Sequence, residues 1–273
     1  MTAPAWSAAF SGEHLSRVSP LPLPSPTREW AFGASTGRGV RVAIIDSGVE
    51  DGHPRVGAVS ASIAVEPDSE KPDSYRYVYG PHEDLVGHGT ACAGIIRALA
   101  PDVEIYSVRV LGANLRGKGS AFVAGVRWAL DNDMDVVNMS LSSQSEQWFG
   151  PLHQIADEAY FRGTLLVCAA NNVPGPTYPS QYAAVISVAA RPGDNPYALA
   201  YNPHPPVEFG ARGIDVDVAW TGGESMVSTG NSFATPHVAA MVSLMRSKHP
   251  WLTSFQVKSV LQAVADNAGD GVE

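Results

Sequence analysis

Five short apolar runs recur along the chain, at residues 40–45, 104–110, 136–141, 165–170 and 185–189, each rich in Val, Ile, Leu or Ala and each bounded by polar or glycine-containing segments. Runs of this length with few polar positions predict strands buried on both faces. Between them, residues 90–99, 120–132 and 154–162 carry helical spacing of apolar and polar positions, and 237–245 and 254–265 predict two further helices. Strands alternating with helices predict an α/β fold whose parallel sheet is covered on both faces, with ligands gathering at the carboxyl ends of the strands. Residues 1–26 are rich in Ser and Pro (Pro20, Pro22, Pro24, Pro26) and predict an extended arm. Thr27 then reads as the N-cap of a short helix over Arg28, Glu29, Trp30, Ala31 and Phe32. The segment 66–84, interrupted by Pro67, Pro72 and Pro81, reads as a surface loop near the cleft. No linker divides the apolar runs, so 27–273 is expected to be one domain.

Charge narrows the class. Eighteen Lys and Arg stand against 27 Asp and Glu, a net charge of −9 with no local basic cluster, which argues against a nucleic-acid surface. Residues 1–10 lack the basic and apolar segments of a signal peptide, and no later run is long enough to span a bilayer. A cytoplasmic protein without a membrane partner is therefore expected. Cys92 and Cys168, both in apolar segments, fit that setting as buried free thiols. Oligomeric state is open.

Three polar motifs fall where such a sheet gathers its ligands. Asp46, Ser47, Gly48 follow the first apolar run; Gly87, His88, Gly89, Thr90 open a helix; and Gly230, Asn231, Ser232, Phe233, Ala234, Thr235, Pro236, His237 precede a buried one. Taken singly, these are a turn-capping carboxylate, a helix-start histidine and an N-cap serine. Taken together, a carboxylate, an imidazole and a hydroxyl are the parts of a nucleophilic triad, since a serine hydroxyl needs a base in hydrogen-bond reach and the base needs an orienting partner. A serine at a helix N-terminus also sits where unpaired N–H groups stabilise developing negative charge. Asn172, after the run at 165–170, is either a turn asparagine or a donor to that charge.

The ordered set, Asp then His then Ser, resembles the subtilases, the subtilisin-like serine proteases. The resemblance runs from about Thr27 to Ala265. It is carried by the segments 42–48 (with His53 and Pro54 following), 87–94 and 230–239, by Val110, Leu111, Gly112 and Ala113 with Gly125, Trp128 and Ala129, and by Asn138, Met139, Ser140 and Leu141. It implies a three-layer α/β fold with a mostly parallel central sheet flanked by helices. It further implies attack by Ser232 on a peptide carbonyl through an acyl-enzyme, with His88 as base and then acid, Asp46 orienting it, and Asn172 with the Ser232 N–H as the oxyanion hole. Leu115, Arg116 and Gly117 are implied as an edge strand pairing with extended substrate, faced by Ser140, Leu141, Ser142 and Ser143.

Departures from the family pattern refine these expectations. Asn231 replaces the usual Thr, and Phe233 the common Met, which removes an oxidisable thioether beside the serine. Ser142 and Ser143 stand where two glycines commonly line the primary specificity pocket, so a preference for small or medium residues before the cut is expected. Residues 95–101 run on without the calcium-binding insertion common after the histidine motif, so no metal or other cofactor is expected. The chain begins too near its first strand for a large inhibitory pro-domain and stops soon after the helix at 254–265. An intracellular serine endopeptidase, suited to processing a precursor or leader peptide, is the expected function. A catalytically silent peptide-binding module and a peptide ligase or macrocyclase using the same acyl-enzyme are the alternatives.

Overall fold

The computed structural model of the chain describes residues 4–5, 7–15, 26–68, 70–71 and 74–268. Helix α1 (Arg28–Phe32) is capped by Thr27, whose hydroxyl accepts the Trp30 N–H at 3.1 Å. There follow β1 (Arg41–Asp46), β2 (Ala61–Pro67), β3 (Tyr75–Tyr79), α2 (His88–Leu99), β4 (Glu104–Arg109), α3 (Gly119–Asp131), β5 (Val136–Met139), α4 (Phe149–Arg162), β6 (Leu165–Ala169) and β7 (Ile186–Arg191). The chain continues through β8 (Leu199–Tyr201), β9 (Phe209–Arg212), the hairpin strands β10 (Val216–Trp220) and β11 (Glu224–Ser228), then α5 (Asn231–Lys248) and α6 (Ser254–Ala263). The nine-stranded sheet has the order β3-β2-β4-β1-β5-β6-β7-β9-β8. Every pairing from β2 across to β9 is parallel, and β3 and β8 close the two edges antiparallel.

The layering follows from β1. Val42 and Ile44 point into a core shared with α1, α2, α5 and α6, whereas Ala43 and Ile45 point into a second core shared with α3 and α4. Successive strand residues face opposite sides, so a run that is apolar throughout needs a helical layer on each side. The expected three-layer α/β fold is what forms. Among the described residues, no helix is long and apolar enough to cross a membrane.

Several expectations are corrected. The segment 66–84 is not one loop: Glu66 and Pro67 end β2, and Tyr75–Tyr79 returns as β3, paired in register from Ile63↔Tyr79 to Pro67↔Tyr75. Proline is tolerated there because β3 is an edge strand and Pro67 is the last residue of β2. Strand β5 stops at Met139, and Ser140 and Leu141 leave the sheet. The helix expected over 237–245 begins six residues earlier, at Asn231. Finally, part of the expected extended arm is folded: residues 7–10 and 12–14 form short 3₁₀ turns against the body, with Phe10 buried. The proline-rich stretch 16–25 lies outside the described residues.

Candidate active site

Asp46 is the last residue of β1, at the point where the chain has crossed to β2, returned to β4 and then moves to β5 on the other side. Such a switch point opens a crevice at the carboxyl ends of the strands. His88 is the first residue of α2. Glycine at 89 lets that helix start press onto the aspartate loop, because a Cβ there would lie 2.0 Å from the Gly48 carbonyl oxygen. Asp84 fixes the same turn. Its Oδ1 accepts from Ser47 Oγ at 2.7 Å and from the N–H groups of Val86 (3.0 Å) and Gly87 (2.8 Å). Its Oδ2 accepts from the Thr90 N–H at 2.8 Å and the Thr90 hydroxyl at 2.7 Å. A carboxylate here satisfies the free donors of the helix start and sits at the positive end of its dipole.

His88 Nδ1 lies 2.8 and 2.9 Å from the two oxygens of Asp46, and Asp46 Oδ1 also accepts the Ser47 N–H at 2.7 Å. The carboxylate is fully buried, so the proton on Nδ1 is held there and Nε2 keeps its lone pair for the cavity. Burial pulls the imidazole pKa down, but the Asp46 charge, its hydrogen bond and the charge of Asp84 outweigh burial, and the net displacement is upward.

Ser232 lies in the first turn of α5. Pro236 lacks the N–H that would bond the carbonyl four residues back, which is that of Ser232. The freed carbonyl is taken by Ser140, whose Oγ donates to it at 2.8 Å, while Ser232 Oγ donates to the Ser140 carbonyl at 2.9 Å. This reciprocal pair clamps Ser232 to the end of β5. The described residues show no hydrogen bond between Ser232 and His88; the resting hydroxyl is turned to the Ser140 carbonyl. Asn172 is exposed in the cleft, and its Oδ1 accepts the Asn231 N–H at 2.9 Å, which leaves the amide Nδ2 to donate. The Ser232 N–H is among those that a first helical turn leaves without an intrahelical acceptor.

A cavity of about 390 Å³ joins His88, Ser232, Asn172 and Ser140 with Trp220 and Phe233. Next to it, a cavity of about 290 Å³ is lined by Leu115, Arg116 and Gly117 on one side and Leu141, Ser142 and Ser143 on the other. The expected walls therefore face each other. Leu115, Arg116 and Gly117 do not, however, form a strand: the Gly112 N–H closes on the Arg116 carbonyl at 2.9 Å, making a tight turn followed by an unpaired stretch. Both main-chain groups of Ser143 are bonded to Tyr178 at 2.8 Å, and Ser143 lines the cavity.

Asp46, His88 and Cys92 place potential metal-ligand atoms within 4.8 Å of one another. Yet His88 Nδ1 is engaged by Asp46, and burial holds the Cys92 thiol protonated, with its sulfur 3.1 Å from Ser140 Oγ. A neutral thiol is a poor ligand and a poor nucleophile. Cys168 is likewise a buried free thiol. Two residues of the site, Asp84 and Trp220, are not singled out by the sequence, and neither is the packing of Phe233 against His88, with ring centroids 5.6 Å apart. Asp84 carried a usable signal, an acid four residues before the histidine and followed by a glycine-flanked helix start.

Residues 37–273 match the profile of the subtilase family, peptidase S8. The chain belongs to that family. It is 34% identical over 246 residues to a thermostable alkaline protease of Halalkalibacterium halodurans, covering 85% of this chain and 64% of that protein. Subtilisin E of Bacillus subtilis is 32% identical over 250 residues, covering 86% of this chain and 62% of the relative. The subtilisin of Bacillus pumilus is 32% identical over 249 residues, with 86% of each covered. The chain thus spans less than two thirds of the length of the first two. A cold-adapted subtilisin-like serine proteinase of known crystal structure superposes with a TM-score of 0.67 at 25% identity, covering 98% of this chain and 96% of that one.

Proposed function

We propose that the protein is a serine endopeptidase acting on peptide or protein substrates, with Ser232 as nucleophile, His88 as general base and then acid, and Asp46 as its orienting partner. The observation that carries this reading is the buried Asp46–His88 pair, which directs a free imidazole nitrogen into the same cavity as a serine at a helix N-terminus. On attack, His88 Nε2 takes the hydroxyl proton as Oγ bonds the carbonyl carbon, and the same proton passes to the leaving amine when the acyl-enzyme forms. Water then repeats the sequence. In this reading the Asn172 amide and the Ser232 N–H, both of which line that cavity, donate to the tetrahedral oxygen as it develops charge. The reading requires no metal and no cofactor. Labelling of the intact protein by a fluorophosphonate, read as a single mass adduct, is the test.

Asn172→Ala is expected to lower kcat roughly 10²- to 10³-fold, the range found for the equivalent asparagine of subtilisin, with little change in KM. Steady-state kinetics on a folded variant check this; unchanged kcat removes Asn172 from the mechanism. Ser142 and Ser143 line the neighbouring cavity, and their side chains would take up volume there, so a peptide library should be cut after small or medium side chains. Dominant cleavage after Phe or Tyr would sink that expectation. The two buried free thiols support an intracellular setting, and a reducing compartment with its own proteins at risk suits a narrow processing role. The resting bond from Ser232 to Ser140 favours the silent binding module as the second reading; absence of any adduct on folded protein would select it.

A further inference from the structure

The Asn231 side chain turns away from the cavity, and every polar atom it carries is bonded. Asn231 is fully buried; its Oδ1 accepts the Ala190 N–H at 2.9 Å. Its Nδ2 donates among the carbonyls of Ala170 (3.0 Å), Asn171 (3.0 Å) and Ala5 (3.1 Å). Its own N–H holds Asn172 Oδ1, and the Ala5 N–H bonds the Asn172 carbonyl at 2.7 Å. The loop 170–172 is therefore gripped from the body by Asn231 and from outside by the N-terminal segment, and Asn231 joins the two grips through Ala5. That segment has an anchor: Phe10 is 1% exposed and packs with Ala170, Ala189, Ala200 and Val207. Its ring occupies space that only glycine leaves free, since a Cβ on Gly210 would lie 2.2 Å from Phe10 Cδ1.

We propose that Ala5, Phe10 and Asn231 form the mount of the oxyanion donor: Asn231 is a positioning residue, and the N-terminal segment anchored by Phe10 completes, through Ala5, the hydrogen bonds that aim the Asn172 amide. The inference rests on the reading of Asn172 as that donor. The mount lies partly outside residues 37–273, the part of the chain that the family profile covers. A shorter β-branched residue at 231, the usual Thr, has one donor and cannot serve the carbonyls of both the loop and the segment. Loss of the mount leaves Asn172 present but loosely aimed, and catalytic groups displaced by about 1 Å can lose up to ~10²-fold in rate. The loss has a ceiling, because a mount cannot be worth more than the group it holds.

The test is made on the full chain, with Phe10→Ala, Phe10→Leu, Asn231→Thr and Asn172→Ala, and with Phe10→Ala combined with Asn172→Ala. The readouts are kcat, KM, thermal melting and inhibition by a peptide aldehyde, whose adduct with the serine places an oxygen in the hole. Phe10→Ala and Asn231→Thr should each lower kcat roughly 10-fold or more with KM within about twofold, and weaken the aldehyde by a similar factor. Phe10→Leu should recover most of the loss. In the Asn172→Ala background, Phe10→Ala should cost less than about twofold further, because the aimed group is gone. Equal losses in both backgrounds, or folded single variants with wild-type kcat and aldehyde affinity, overturn the proposal. If Asn172→Ala alone keeps full kcat, the oxyanion reading itself falls and takes the mount with it; if only Asn172→Ala is impaired, the mount alone is refuted.

Discussion

Ser232→Ala is expected to abolish the fluorophosphonate adduct and to lower kcat by roughly 10⁶-fold, the scale known for the triad serine of subtilisin itself. The effect is large because an alanine leaves no atom to bond the acyl carbon, so that only the oxyanion donors and substrate binding remain. The fold should survive the change. The two hydrogen bonds with Ser140 are reciprocal, and alanine removes only the one given by the hydroxyl; the Ser140 Oγ bond to the residue-232 carbonyl persists. Intact-mass analysis with thermal melting checks both halves. An adduct that persists on Ser232→Ala would place the reactive nucleophile elsewhere in the chain.

Asp46→Asn should cost roughly 10⁴-fold in kcat, the scale seen when other triads lose their carboxylate. The amide can present its NH₂ to Nδ1 and so favour the tautomer that puts the imidazole proton on the wrong nitrogen. The pH profile supplies a second, independent signature. A histidine acts as a base only when neutral, so the upward displacement of the His88 pKa by the Asp46 carboxylate should place the acidic limb of kcat/KM above the ordinary imidazole value of about 6.5. Removing the Asp46 charge leaves burial as the dominant influence, and burial disfavours the charged imidazolium. The residual activity of Asp46→Asn should therefore show its acidic limb at lower pH than wild type. A limb that stays in place would mean another group governs it.

Much of the architecture could be read from residues 40–45, whose unbroken apolar character demands a helical layer on each side and whose following acid marks the carboxyl end. The three triad positions were legible for the same reason: each lies where an apolar run meets glycine or a helix start. The edge hairpin was not. Tyr75–Tyr79 has half-buried positions only at Tyr75 and Tyr77, with Val78 and Tyr79 exposed, and its strand character comes from pairing with β2. Strands β8 to β11 are three to five residues long, too short for periodicity to register. Asn231 was visible as a departure from the family motif, but its inward amide depends on carbonyls of Ala5, Ala170 and Asn171, brought together only by folding. The resting orientation of Ser232 depends on a single torsion, which no pattern of residue types encodes.

Pro236 has a mechanical consequence. By interrupting the hydrogen-bond ladder of α5 at its first turn, it uncouples the nucleophile's carbonyl from the helix body and couples it to Ser140, the start of the wall that faces the substrate. Ser140 thereby holds residue 232 twice over, by its hydroxyl on the carbonyl and by its own carbonyl on the side-chain hydroxyl, so the wall of the groove and the serine share one fixed reference through a single missing N–H.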